Sequence, residues 1–290
     1  MTTIREKGYS HWNGTLVERR FPWWPITRTG ILLTFRKKQF KFFFSLAFLP
    51  SIVFLAGIYI SERLQDFKFM FKGSEQILNI NPGFFKSYFT NDGLLFMMVM
   101  LLVFSGAGLI SDDLKHNALQ IYFARPLGKK DYFLGKASVV AFFILLLTLV
   151  PGILFIIFKL VFSGSFKILV QYPWLILSVI AYSGLLTVFF AFYTLLLSAL
   201  SKNRRYVTIL IFAVYIFSDV LYGISFGIFH SPFVALLSLK GNLQQAGAVL
   251  FGQKLPYGYP GYLSFLVLGA ICALSAIVLH RRIRGVEVIR

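Results

Sequence analysis

Six long blocks of apolar residues, each almost free of charge, constrain the fold of this chain more than any other feature of its sequence. A helix needs about 20 mainly apolar residues to cross a hydrocarbon core of about 30 Å. Blocks of this length therefore predict transmembrane helices. The predicted spans are residues 42–60, 94–110, 137–158, 173–200, 206–229 and 261–279.

The composition agrees with a membrane protein. Hydrophobic residues make up 57% of the chain and charged residues 14%, whereas soluble domains contain roughly 45–50% apolar and about 25% charged residues. We therefore predict an all-α membrane protein in which residues 1–290 form one domain. A proline inside the third span, Pro151, is expected to kink that helix rather than end it.

The net charge of +18 is distributed as an orientation signal. The basic residues flank the apolar blocks, whereas a nucleic-acid site needs a basic face on a soluble module, so no nucleic-acid partner is expected. Counted over alternate sides of the predicted spans, 21 Lys and Arg lie on one side and 8 on the other. The positive-inside rule then predicts cytoplasmic N- and C-termini in an inner-membrane, multi-pass protein.

Motifs of intrinsic catalysis are missing from the sequence. It contains no phosphate-binding Gly-x-x-x-x-Gly-Lys-Ser/Thr loop, no His-Glu-x-x-His, no Cys-x-x-Cys and no paired intramembrane carboxylates. We therefore predict no catalytic residue, no metal site and no cofactor bound by this chain.

The loop after the second span carries the most informative pattern. Ser111 is a candidate helix N-cap, and acidic residues follow in the predicted first turn. Four apolar residues then share one helical face, and Pro126 ends the helix. That face consists of Leu114, Ala118, Ile121 and Tyr122. Two interpretations remain open: a surface helix that only turns the chain, or a helix that docks on a cytoplasmic partner.

The same loop resembles the first cytoplasmic loop of ABC-2 type transporter permeases. The shared pattern is an acidic pair, a short apolar helix, Arg-Pro-Leu at residues 125–127, and Gly135-Lys136 at the opening of the third span. This sequence has Asn117-Ala118 where the family usually has Gly-Thr. The resemblance extends to six spans with cytoplasmic termini, a basic aromatic segment before the first span and a re-entrant outer segment before the sixth.

The resemblance implies a permease subunit of an ABC exporter. It would form a homodimer, or pair with a similar permease, and bind two separate ABC ATPase subunits that hold ATP and Mg²⁺. Residues 111–124 would be the coupling helix, and residues 25–40 an elbow helix on the inner leaflet, although the basic residues there equally fit ordinary flanking of a span. The implied ATPase contacts are Asp112, Asp113, Leu114, Lys115, His116, Ala118, Leu119, Ile121, Tyr122, Arg125 and Pro126.

Three further features lie towards the outer side of the predicted bundle. Asp219 is the only acid deep inside a predicted span, and it is expected to face a polar partner or a cationic group of a substrate. Gly223 and Gly227 have the spacing of a close helix contact, either at a dimer seam or within one subunit. Residues 230–260 are expected to contain re-entrant or interfacial helices.

The sequence leaves the substrate open, with lipids, glycans and amphipathic compounds as candidates. Two other functions also remain open. One is an ion-coupled carrier centred on Asp219. The other is a membrane anchor that transmits force from the ATPase to an extracytoplasmic or accessory subunit without transporting anything.

Overall fold

The computed structural model describes residues 21–63, 80–123 and 127–282, and all regular structure in these ranges is helical. The α-helices are α1 (Trp24–Phe35), α2 (Lys38–Ala47), α3 (Leu49–Glu62), α4 (Pro82–Phe89), α5 (Asp92–Ser105), α6 (Gly108–Lys115), α7 (Ala118–Phe123), α8 (Lys129–Leu147), α9 (Leu149–Ser163), α10 (Lys167–Gln171), α11 (Leu175–Leu200), α12 (Arg204–Phe229), α13 (Leu239–Leu250) and α14 (Tyr262–Arg282). A 3₁₀ helix at Pro232–Leu237 precedes α13.

Six helical segments of the described residues are long and apolar enough to cross a membrane, which confirms the number of predicted spans. They are Lys38–Glu62, Pro82–Lys115, Lys129–Ser163, Leu175–Leu200, Arg204–Phe229 and Tyr262–Arg282. The second and third segments extend well beyond their predicted ends, because the helices continue through charged residues that the apolar blocks exclude.

Contacts between the ends of the segments define two ends of the bundle. At one end, Arg204 approaches Asp112 and Arg282 donates to the Leu200 carbonyl. At the other, Lys159 pairs with Glu62. We call these the inner and outer ends, after the predicted orientation.

The helix of the third span is interrupted close to its proline, where the sequence predicted a kink rather than an end. Helix α8 ends at Leu147 and α9 begins at Leu149, so the break lies at Thr148, one turn before Pro151. Proline has no N–H to donate to the carbonyl four residues earlier. That carbonyl, on Leu147, instead accepts from the Tyr88 hydroxyl at 2.7 Å, and Tyr88 accepts from Ser51 at 2.8 Å. The freed backbone oxygen thus connects the first three spans.

The segment predicted as an elbow is shorter than expected. Helix α1 ends at Phe35, and Lys37 adopts extended backbone before α2 begins. Residues 38–40 therefore belong to the first span rather than to a separate helix over residues 25–40. The location of α1 on the inner leaflet stays a prediction.

The segment before the sixth span contains two helices, the 3₁₀ helix and α13. Ser238 caps α13 by accepting from the Gly241 N–H at 2.8 Å, and most of the helix is buried. It packs against α11, α12 and α14. A pair of helices was predicted here, and its relation to the membrane surface stays a prediction.

Burial is uneven among the spans. The most apolar part of the second span is 67% buried, whereas that of the first and of the fifth is 17% buried. The second span therefore lies at the centre of the described bundle, and the first and fifth present apolar faces that the described residues do not cover.

Candidate functional site: the loop between the second and third spans

The loop contains two short helices instead of the single predicted helix. Helix α6 ends at Lys115, and α7 begins at Ala118. Asn117 between them has φ +52°, in the left-handed region that glycine and asparagine adopt most readily. The position where the ABC-2 permeases usually have glycine thus requires a glycine-like backbone, which Asn117 supplies.

The predicted cap at Ser111 is wrong. Ser111 is buried inside α6, and its hydroxyl donates to the Ala107 carbonyl at 2.7 Å. Helix α6 begins at Gly108, so Asp112 and Asp113 lie in its second half rather than its first turn. Negative charge near the C-terminal end of a helix is unfavourable, and nearby cations offset it.

The predicted apolar face is only partly correct, because the break at Asn117 rotates α7 relative to α6. Leu114, Leu119 and Tyr122 pack against the core. Ile121, predicted to share a face with Leu114 and Tyr122, is instead 67% exposed. Of the remaining predicted contacts, Lys115 and His116 are exposed and Ala118 is half-buried, whereas Arg125 and Pro126 lie outside the described residues.

A buried ion pair fixes the loop to the third span. The Lys136 ammonium lies 2.7 Å from the Asp113 carboxylate, and only 11% and 14% of these side chains are exposed. The Tyr132 hydroxyl donates to the same carboxylate at 2.7 Å. Lys136 also lies 5.7 Å from the Tyr122 ring centre, within range of a cation–π contact. Burial and the charge of Asp113 together raise the pKa of Tyr122.

A second set of contacts joins the loop to the fourth and fifth spans. The Ser198 hydroxyl accepts from the Ile110 and Ser111 N–H groups at 2.9 and 3.1 Å and donates to the Ala107 carbonyl at 2.9 Å. Asp112 lies 3.9 Å from Arg204, a looser and more exposed pair. The acidic pair of the motif therefore binds two different spans.

The glycine of the motif brings α1 into contact with the third span. A Cβ on Gly135 would lie 2.8 Å from the Ile26 Cβ, so only glycine permits this approach. The Gly135 carbonyl accepts from the Thr27 hydroxyl at 3.0 Å. Three motif residues, Asp113, Gly135 and Lys136, thus assemble the inner end rather than facing outward.

Lys37 makes a further contact at the inner end, although the sequence predicted it only as one of the basic residues near the membrane surface. Lys37, between α1 and α2, donates to the Phe104 carbonyl at 2.8 Å. Burial and, to a smaller extent, the nearby Arg204 lower the pKa of Lys37, Asp112 opposes them, and together they bring it to about 8. The sequence offered no signal for this role, because Lys37 stands in a run of basic residues that resembles ordinary flanking charge.

Asp219, the acid predicted deep inside the fifth span, faces polar partners that come from another part of the chain. The Lys240 ammonium lies 2.8 Å from its carboxylate, and the Ser238 hydroxyl donates to it at 3.0 Å. Both partners belong to the segment before the sixth span. The only available signal was that Lys240 interrupts a long uncharged stretch.

Gly223 and Gly227 lie on an exposed part of α12. A Cβ at either position would meet no described atom within 4 Å, so neither glycine makes a close helix contact with the described residues. A dimer seam at these two glycines stays a prediction.

Among the residues that the structure describes, no group of side chains could bind a metal ion.

Comparison with known families identifies the chain. A family model for ABC-2 family transporter proteins matches residues 34–219, a range that includes the first four spans, the loop and the fifth span as far as Asp219. No curated protein matches the chain. The match covers more than half of the sequence, and the chain therefore belongs to the ABC-2 transporter family, as a multi-pass membrane permease of a class that associates with an ABC ATPase subunit.

Proposed function

We propose that this chain is the permease subunit of an ABC exporter of the inner membrane, and that two ATPase subunits dock on the loop helices α6 and α7 of a permease dimer. The observation that carries the proposal is the attachment of this loop to three spans. Asp113 holds it to the third span, Ser198 to the fourth and Asp112 to the fifth.

These attachments give a route for force. ATP and Mg²⁺ bind to the partner subunits, and their closure displaces α7. The buried Asp113–Lys136 pair passes the displacement to the third span, and α1 follows through its contact with Gly135. The first, second and fifth spans then rearrange to move a substrate outward. The uncovered faces of the first and fifth spans support a dimer, with Gly223 and Gly227 as candidate contacts.

The surface of the loop supports docking in particular. Ile121 projects an apolar side chain from a polar surface, with the exposed Lys115, His116 and Gln120 around it. An apolar anchor with a polar rim is the arrangement of a specific interface.

The ion-coupled carrier and the force-transmitting anchor predict results that differ from those of an ABC exporter. An ion-coupled carrier centred on Asp219 would move its substrate without any ATPase subunit. An anchor that only transmits force would hydrolyse ATP in vesicles without moving any lipid or glycan across the bilayer.

The test is the change Ile121→Asp in the tagged, full-length chain. Placing an unpaired carboxylate in an apolar contact is costly, so we expect chain-stimulated ATP hydrolysis to fall by about tenfold or more. The measurement is the amount and activity of the ATPase that co-purifies from native membranes in mild detergent. Ile121 is a better test position than Leu114 or Tyr122, because those two side chains pack against the core.

The matched control is Val170→Asp. Val170 is 80% exposed in α10, at the outer end, and should tolerate the same change with normal ATPase binding. Equal ATPase recovery with Ile121→Asp and with the unchanged chain would contradict docking on this loop.

A further inference from the structure

A polar cluster in the outer half of the bundle has no role in the coupling described above. It consists of Asp92 at the start of α5, Asp219 in α12, Lys240 and Gln244 in α13, and Tyr257 in the following loop. Lys240 lies 2.8 Å from Asp219 and 3.6 Å from Asp92. Gln244 donates to Asp92 at 2.7 Å and accepts from Tyr257 at 3.1 Å. The cluster therefore joins elements that are distant in sequence.

Charge and exposure distinguish this cluster from the buried pair at the inner end. Two carboxylates face one ammonium, which leaves one negative charge uncompensated among the described side chains of the cluster. The Asp92 side chain is 68% exposed and that of Asp219 is 35% exposed. Both carboxylates are thus accessible from outside this chain, and Asp92 is only loosely paired.

A second observation comes from Tyr215, one turn along α12 from Asp219 and on the same face. Tyr215 is only 5% exposed, and its hydroxyl has no hydrogen-bond partner among the described residues. It lies within electrostatic range of both Asp219 and Asp92. A buried hydroxyl without a partner is costly, and here it lies beside the excess negative charge.

The surroundings suit a cation that also carries apolar groups. The Tyr222 ring, three residues after Asp219, lies 5.8 Å from the Tyr257 ring, and aromatic faces attract organic cations. Phe217 and Val220 on the adjoining surface of α12 are exposed. Phe229, at the outer end of α12, lies about 15 Å farther along the helix than Asp219, so the cluster lies well inside the bundle.

We infer that this cluster is a substrate site for amphiphilic organic ammonium compounds, with Asp92 and Asp219 as the anionic groups and Lys240 as an internal ammonium that competes with the ligand. Lys240 already places one ammonium 2.8 Å from the Asp219 carboxylate and 3.6 Å from that of Asp92. This inference rests on the proposed export function, because it names the class of substrate.

The test is saturable binding of radiolabelled benzyltriethylammonium to the full-length chain in a non-ionic detergent. Neutralising one carboxylate removes its Coulomb attraction for the quaternary ammonium, so binding should weaken by about tenfold in Asp92→Asn and in Asp219→Asn. Lys240→Gln should strengthen binding, because it removes the competing ammonium. Asp131→Asn is the matched control, since Asp131 accepts from the Gly128 N–H at the inner end.

Binding needs neither ATP nor a partner, so the result is independent of the coupling test. Asp92 is largely exposed, and Asp92→Asn is therefore expected to elute and unfold like the unchanged chain. No saturable binding by the unchanged chain would overturn the inference. So would equal binding by both Asn variants, or a Lys240→Gln chain that is less stable without binding more tightly, because the cluster would then only hold the helices together.

Discussion

The buried pair between Asp113 and Lys136 gives the sharpest stability prediction. The change Lys136→Met leaves the Asp113 carboxylate without its cation, although the Tyr132 hydroxyl still donates to it at 2.7 Å. Removing one partner of a buried ion pair costs about 3–5 kcal/mol. Because Asp113 retains this hydrogen bond and is 14% exposed, we expect the lower end of that range, about 3 kcal/mol.

The assay is equilibrium unfolding in mixed micelles of maltoside and dodecyl sulfate, followed by circular dichroism. A double variant, Asp113→Asn with Lys136→Met, removes both charges and keeps an acceptor for Tyr132. The double variant should recover most of the lost free energy of unfolding, which should remain about 1 kcal/mol below that of the unchanged chain. Lys130→Met, an exposed position in the same helix, should change stability by less than about 0.5 kcal/mol.

The reasoning depends on the carboxylate being the source of the cost. If the double variant is as unstable as Lys136→Met alone, the loss comes from packing of the lysine chain and the ion-pair explanation is refuted. An equal loss in Lys130→Met would refute it as well.

Changes at three further positions can be measured in the same assay. Asn117→Val should lower the free energy of unfolding by about 1–2 kcal/mol, because a β-branched residue is strained at φ +52°. Asn117→Gly should change it by no more than a few tenths of a kcal/mol. Tyr88→Phe removes the donor to the Leu147 carbonyl and should cost about 1–3 kcal/mol. The Lys37 pKa is lowered to about 8 from 10.5, so the folded state binds fewer protons than the unfolded state between these values, and stability should rise with pH across that window. Lys37→Met should remove this rise.

The number and the centres of the spans could be predicted from the sequence, because apolar length alone requires them. The ends could not. The second span was expected to begin at residue 94, but its helical segment begins at Pro82, where the Asn81 side chain caps α4 by accepting from the Phe84 N–H. An apolar block ends at the first polar residues, whereas a helix ends where its backbone N–H and C=O groups bond to other partners.

The loop shows the same limit at the level of single residues. Its position, its acidic pair and its helical character were readable from the motif. The turn at Asn117 was not, and it decides that Leu119 packs inward while Ile121 is exposed. Helical periodicity predicts which side chains share a face only for one continuous helix. A single residue with left-handed backbone therefore changes that face.

Contacts between side chains that are distant in sequence were the least predictable. Asp219 was expected to have a polar partner because an intramembrane carboxylate is costly, and that expectation is confirmed. Its pairing with Lys240 depends on how α13 packs against α12, which no local pattern encodes. Asp92 carried no signal in the sequence, and only the fold brings it to within 3.6 Å of Lys240.

The most direct test of the account is a photo-crosslink from the loop. Cys272 is the single cysteine of the chain, so Cys272→Ser with Ile121→Cys gives one attachment point for a benzophenone maleimide in native membranes. Val170→Cys in the same background is the control at the outer end. We predict that the label at position 121 captures a protein with an ATPase phosphate loop and that the label at position 170 does not. Capture of the ATPase from position 170, with none from position 121, would contradict the account.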